Sequence, residues 1–140
     1  MPRETPAWLS SRALRWPLLA LLLAAYLQGG LDKLLDFPAA VAEMRHVGLE
    51  PAAPLAAAVI ALELGASVLV LGGWRRWLGA LALASFTLAA SLQANRFWAA
   101  PAADRVMLEN AFYEHLGLVG GLLLVAWIDW RERHAVEVLR

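Results

Sequence analysis

Four apolar runs dominate the chain, residues 14–31, 52–73, 77–94 and 106–128, each 18–23 residues long. A helix needs about 20 apolar residues to cross the hydrocarbon core of a bilayer. Inside lipid the backbone finds no water, so such runs cross as helices that satisfy their own N–H and C=O groups. Four spans in 140 residues leave little room for a soluble domain. The apolar fraction of 61% stands well above the ~45–50% of soluble domains. The expected fold is all-α: an antiparallel four-helix transmembrane bundle, forming a single integral membrane domain over residues 1–140 and solvated by the lipid bilayer.

Arg12 and Arg15 ahead of residues 18–25 have the outline of a signal peptide. The apolar character continues to Leu31, however, and no Ala-x-Ala site follows, so a retained first helix is expected. Orientation follows from flanking Arg and Lys. Arg3, Arg12, Arg15, Arg75, Arg76, Arg131, Arg133 and Arg140 flank one side, against Lys33, Arg45, Arg96 and Arg105 on the other. That bias puts both termini in the cytoplasm. Six tryptophans (16, 74, 77, 98, 127 and 130) fall near span ends, where amphipathic rings collect.

The connections differ in character. Gly72-Gly73-Trp74-Arg75-Arg76-Trp77 is a tight turn that makes the second and third spans antiparallel neighbours. The first outer loop, residues 32–51, is patterned. Asp36 can cap a helix beginning at Phe37-Pro38, and Gly48 with Pro51 beyond can end it. Val41, Met44 and Val47 then share one face, as expected of a short amphipathic helix on the outer membrane surface or over the bundle; a solvated loop with one helical turn is the alternative. Gly117-x-x-x-Gly121, Ala61-x-x-x-Gly65 and Ala80-x-x-x-Ala84 are small-residue spacings that let helices approach closely in lipid, within the bundle or in a dimer.

Some chemistries are excluded. Zero net charge provides no basic field for nucleic acid, and the absence of cysteine removes disulfides, thiolate metal sites and dithiol redox chemistry. No metal is expected either. Glu114 and His115 are adjacent, and adjacent helix positions point about 100° apart, which makes a poor chelate.

The polar intramembrane residues gather in the outer half. Glu63 lies mid-span, where a charge costs at least ~2.5–3.5 kcal/mol, and Ser67 is one turn deeper. Tyr26 and Gln28, followed by Asp32 and Lys33, end the first run; Ser91, Gln93 and Asn95 end the third. In the fourth, Asn110 and Glu114 share a face and His115 is one step round. The inner half is nearly devoid of such groups. Glu63 is expected to be neutral and hydrogen-bonded to His115 or Asn110, so that Glu63→Gln melts close to wild type. A Glu–His pair could bond a quinone carbonyl and pass protons, since imidazole titrates near neutrality. Alternatively these groups only satisfy one another and fix helix register.

Particular stretches are similar to a known family. Gln28-Gly29-Gly30-Leu31-Asp32-Lys33, then Val47-Gly48-Leu49-Glu50-Pro51, then Ala61-Leu62-Glu63-Leu64-Gly65, resemble the DoxX family of small four-helix integral membrane proteins. The turn at Gly72-Gly73 and the closing Leu118-Val119-Gly120-Gly121 continue the match. The family's Gly-x-x-Lys is met by Gly30 and Lys33, and its intramembrane glutamate by Glu63. Where members often carry a histidine late in the third helix, this chain has Gln93-Ala94-Asn95, leaving His115 as the substitute. Glu109-Asn110 stands where members often carry Lys-Asn.

The resemblance implies a bacterial or archaeal cytoplasmic-membrane subunit of a quinone-linked oxidoreductase, with a quinone as ligand and a protein partner or second copy beside it. Glu63 is the expected anchor. His115 and Glu114 are the expected ligand or proton contacts, with Gln28, Gln93 and Asn110 in support. Lys33 is expected at the mouth, paired with an acidic loop residue or attracting an anion. The rival reading is a non-catalytic assembly protein whose polar cluster is structural.

Overall fold

A computed structural model describes residues 11–138, with side chains as far as Ala135. Arg3 and Arg140, which entered the charge count, lie outside the described residues. The order is α1 (Arg12–Leu35), α2 (Phe37–His46), α3 (Ala52–Gly72), α4 (Arg76–Ala94), a 3-10 turn (Phe97–Ala99) and α5 (Ala102–Val138). Four of these, α1, α3, α4 and α5, are long and apolar enough to cross a membrane. The chain is an all-helical, multi-pass membrane protein.

Two helices outrun the apolar runs that predict them. α1 continues from residue 31 to Leu35 and stops at Asp36, which closes one helix and opens the next. Its N–H bonds Asp32 O at 2.9 Å while its carboxylate accepts the Ala39 N–H at 3.1 Å. This is the cap expected for the loop helix. α5 continues ten residues past 128 to Val138, because nothing there breaks a helix and Asp129 pairs with Arg133 one turn on. At 1.5 Å per residue α5 is about 55 Å long, so it projects beyond any bilayer core.

α1 packs on α3, α3 on α4, and α4 most extensively on α5, while α5 and α1 meet only thinly. The core is built from Leu19, Leu23, Val70, Leu83, Leu122 and Ala126. A second cluster forms where Ala40, Val41 and Met44 of α2 sit on Ala52 and Ala56 of α3. The apolar face of α2 therefore turns onto the bundle, and the helix roofs one end of it. This end is called the roof end below, and the opposite one, with the α3–α4 turn, the turn end.

The small residues divide by face. Gly79 lets α4 lie against α3 so closely that a Cβ there would sit 2.7 Å from the Ala66 carbonyl oxygen. Ala80 and Ala84 are buried with it. Gly121 meets Leu22 of α1, whereas Gly65 and Gly117 face open space. Only half of the GxxxG pair thus serves the bundle. At the turn itself Gly73 and Arg75 both take left-handed backbone, φ 75° and 49°, the first of which only glycine adopts without strain.

Candidate functional site

The centre of the site depends on how closely α1 and α3 approach. Gly30 faces Leu64 and Glu63, and a Cβ at Gly30 would fall 2.8 Å from Leu64 Cδ2. With no side chain there, the two backbones close up, and Lys33, one turn further along α1, reaches across. Its Nζ lies 3.3 Å from Glu63 Oε2 and 3.5 Å from Gly29 O. Both partners are largely shielded, with side-chain exposures of 18% and 8%. The arrangement is an ion pair. Lys33 is thus the partner of Glu63, in place of the expected His115 or Asn110, and the contact draws Lys33 inward from the mouth. The long flexible lysine stem allows this. Ser67 donates to Glu63 O at 2.6 Å, which satisfies its hydroxyl without touching the carboxylate.

Three more polar links cross the same half. Thr87 spends its proton on Leu83 O at 2.7 Å, so its oxygen accepts from Tyr26, 2.5 Å away. Asn95, buried at the end of α4, places Nδ2 2.7 Å from His115 Nδ1 and 3.3 Å from Ser91 Oγ. Gln93 donates to Val47 O at 2.8 Å and so ties α4 to the chain leaving α2.

Between these links lies a cavity of about 570 Å³ under α2. Lys33, Glu43, Glu63, Gln93, Asn95 and His115, with the Tyr26 and Thr87 hydroxyls, provide its polar lining; Met44, Val59, Phe86 and Leu118 are among its apolar walls. Four of the seven residues proposed from sequence are therefore brought together. Gln28, Asn110 and Glu114 are not among the lining. Gln28 is exposed and bonds Asp32 within its own helix. Asn110 and Glu114 share the exposed face of α5. Because His115 is rotated about 100° from Glu114, turning the histidine inward turns that face away.

A family model described as DoxX matches residues 15–96. The chain belongs to the DoxX family. The match runs from α1 through α4 and includes Lys33, Glu63, Gln93 and Asn95; α5 with His115 lies beyond it. No curated protein and no solved structure matches the chain.

Sequence reasoning also left the turn end nearly devoid of polar groups, and the structure corrects this. Asp129, 5% exposed, accepts from Arg133 Nε at 2.9 Å and from the Trp77 N–H at 3.1 Å, with Arg76 Nη1 at 3.8 Å. Arg76 and Arg133 also donate to Val70 O and Gly73 O. Asp129 thus supplies an acceptor for an N–H in the first turn of α4, one of the groups a helix start leaves unpaired. Nearby, Arg15 grips Glu132 through two bonds of 3.2 and 2.6 Å. The sequence signal was an aspartate one residue beyond an apolar run, facing an Arg-Arg turn.

Proposed function

We propose that this DoxX protein is a membrane subunit of a quinone-linked oxidoreductase system, and that the roof-end cavity binds the quinone or a similar small molecule. One observation carries the reading: a single apolar-walled space joins the Lys33–Glu63 pair to the Asn95–His115 pair. Ligand sites characteristically combine apolar walls with a few placed polar groups. A quinone ring is apolar with two carbonyl acceptors; the Lys33 ammonium and the His115 imidazole are donors to such oxygens. Reduction of a quinone to its quinol takes two electrons and two protons. The Lys33 ammonium holds a proton that can pass to a quinone oxygen, with Glu63 and His115 positioned beside it, while the electrons come from a redox centre on a partner protein. The family's link to oxidoreductase-associated membrane subunits supports this reading. Arg12, Arg15, Arg75, Arg76, Arg131 and Arg133 all flank the turn end, which supports a cytoplasmic turn end and cytoplasmic termini in a bacterial or archaeal membrane.

Titration of decylubiquinone into nanodisc-embedded protein tests the proposal. Wild type binds saturably, and both Glu63→Gln and the cavity-filling Ala90→Leu weaken binding; undiminished affinity in both removes the cavity assignment.

A second reading has its own support. Among the described residues no buried side-chain nitrogen or oxygen lacks a hydrogen-bond partner, as an assembly protein with a purely structural polar cluster requires. Under that reading wild type shows no saturable quinone binding and purifies in mild detergent with a stoichiometric partner.

A further inference from the structure

His115 carries one proton on two ring nitrogens when neutral, and which nitrogen holds it decides what the site can recognise. The contact at Nδ1 bears on this directly. Asn95 presents Nδ2 at 2.7 Å, and an amide nitrogen only donates. With the amide so oriented Nδ1 accepts, which leaves the proton on Nε2. The same Nδ2 group carries two hydrogens, and the second goes to Ser91 Oγ at 3.3 Å, so both hydrogens are placed. Asn95 and Ser91 are buried, 8% and 1% exposed. Asn95 is also held by its backbone, whose N–H bonds Ser91 O at 2.9 Å as α4 ends. The amide is therefore anchored before it meets the histidine. His115 lines the cavity, and among the described residues its Nε2 has no hydrogen-bond partner.

We infer that Asn95 is a positioning residue: it holds His115 as the Nε2–H tautomer and so makes the histidine a hydrogen-bond donor toward the cavity. This rests on the cavity reading above and narrows its ligand class. With Lys33 also a donor, these two groups suit a head group that presents acceptors, such as a carbonyl-bearing ring, while Glu43 and Glu63 provide acceptors in the same lining. An aspartate at position 95 can only accept, so it draws the proton to Nδ1 and turns the cavity-facing nitrogen into an acceptor.

Nitrogen-15 NMR of histidine-labelled protein in nanodiscs reads the tautomer directly. The chain has 3 histidines, and His115→Gln assigns the signal. At neutral pH wild-type His115 is expected to be protonated on Nε2. Asn95→Leu should give a mixture of tautomers, and Asn95→Asp should give protonation on Nδ1. Decylubiquinone affinity should fall about tenfold in Asn95→Asp, the scale of one hydrogen bond lost at an unsatisfied buried group. A wild-type proton on Nδ1, or an Asn95→Leu spectrum identical to wild type, overturns the role of Asn95 whatever binds. If the tautomers follow this order but wild type binds no quinone, Asn95 keeps its role and the quinone reading fails.

Discussion

Replacing Glu63 by leucine leaves the Lys33 ammonium without its counter-ion. Beyond the 3.3 Å contact to Glu63, that ammonium has only the long 3.5 Å bond to Gly29 O. Breaking a shielded pair from one side costs about 3–5 kcal/mol. Glutamine keeps an oxygen in place and recovers one neutral hydrogen bond, ~0.5–1.5 kcal/mol, so Glu63→Gln is expected to lose about 2–4 kcal/mol. Both variants melt well below wild type, with leucine the lower. Lys33→Met combined with Glu63→Leu removes both charges, and exchanging a buried pair for apolar residues is often neutral or stabilising. The double variant is therefore expected to melt above either Glu63 single. Detergent thermal melts at neutral pH of wild type, the two Glu63 variants, Lys33→Met and the double variant provide the measurement, with the two apolar singles and the double closing the cycle. Glu63→Gln melting with wild type, or a double variant that loses the sum of its singles, would refute the ion pair.

Three further outcomes follow from packing and charge. Gly79→Ala drives a Cβ to 2.7 Å from a backbone carbonyl that cannot swing aside, so α4 must shift from α3 at about 1–3 kcal/mol, read as a lower melting temperature. Asp129→Leu strands two arginines and removes the acceptor of the Trp77 N–H; a loss of about 3–5 kcal/mol is expected, with Asp129→Asn milder. Arg15→Ala breaks a bidentate pair whose side chains are 42% and 50% exposed, so the same melts should show no more than about 1 kcal/mol.

Much of the fold was legible because bilayer thickness imposes one length on every span, and four runs met it. The loop helix was legible for a local reason: Asp36, Pro38 and Gly48 each do one thing at a helix end. The pairing of polar groups was harder, because depth along a helix can be counted while facing cannot. Glu63, His115, Asn110 and Gln28 all lie in one half of the chain's spans, yet only Glu63 and His115 turn into the cavity. The partner of Glu63 depended on how near α1 comes to α3, which Gly30 sets by lacking a side chain. Lys33 had been placed at the membrane edge because charged residues at span ends usually stay there. Asp129 was overlooked for a related reason. Past residue 128 a carboxylate looks like solvated tail, but α5 continues as a rigid helix and holds it against the start of α4.

The central claim is that the space beneath α2 receives the ligand, and photo-crosslinking tests it most directly. An azido-quinone is irradiated with the protein in nanodiscs, and the modified peptides are sequenced. The account predicts label on cavity-lining residues such as Met44, Phe86 and His115, competed away by excess decylubiquinone and reduced in Ala90→Leu. Label confined to lipid-facing positions such as Leu21 or Trp16, insensitive to competitor, would contradict it.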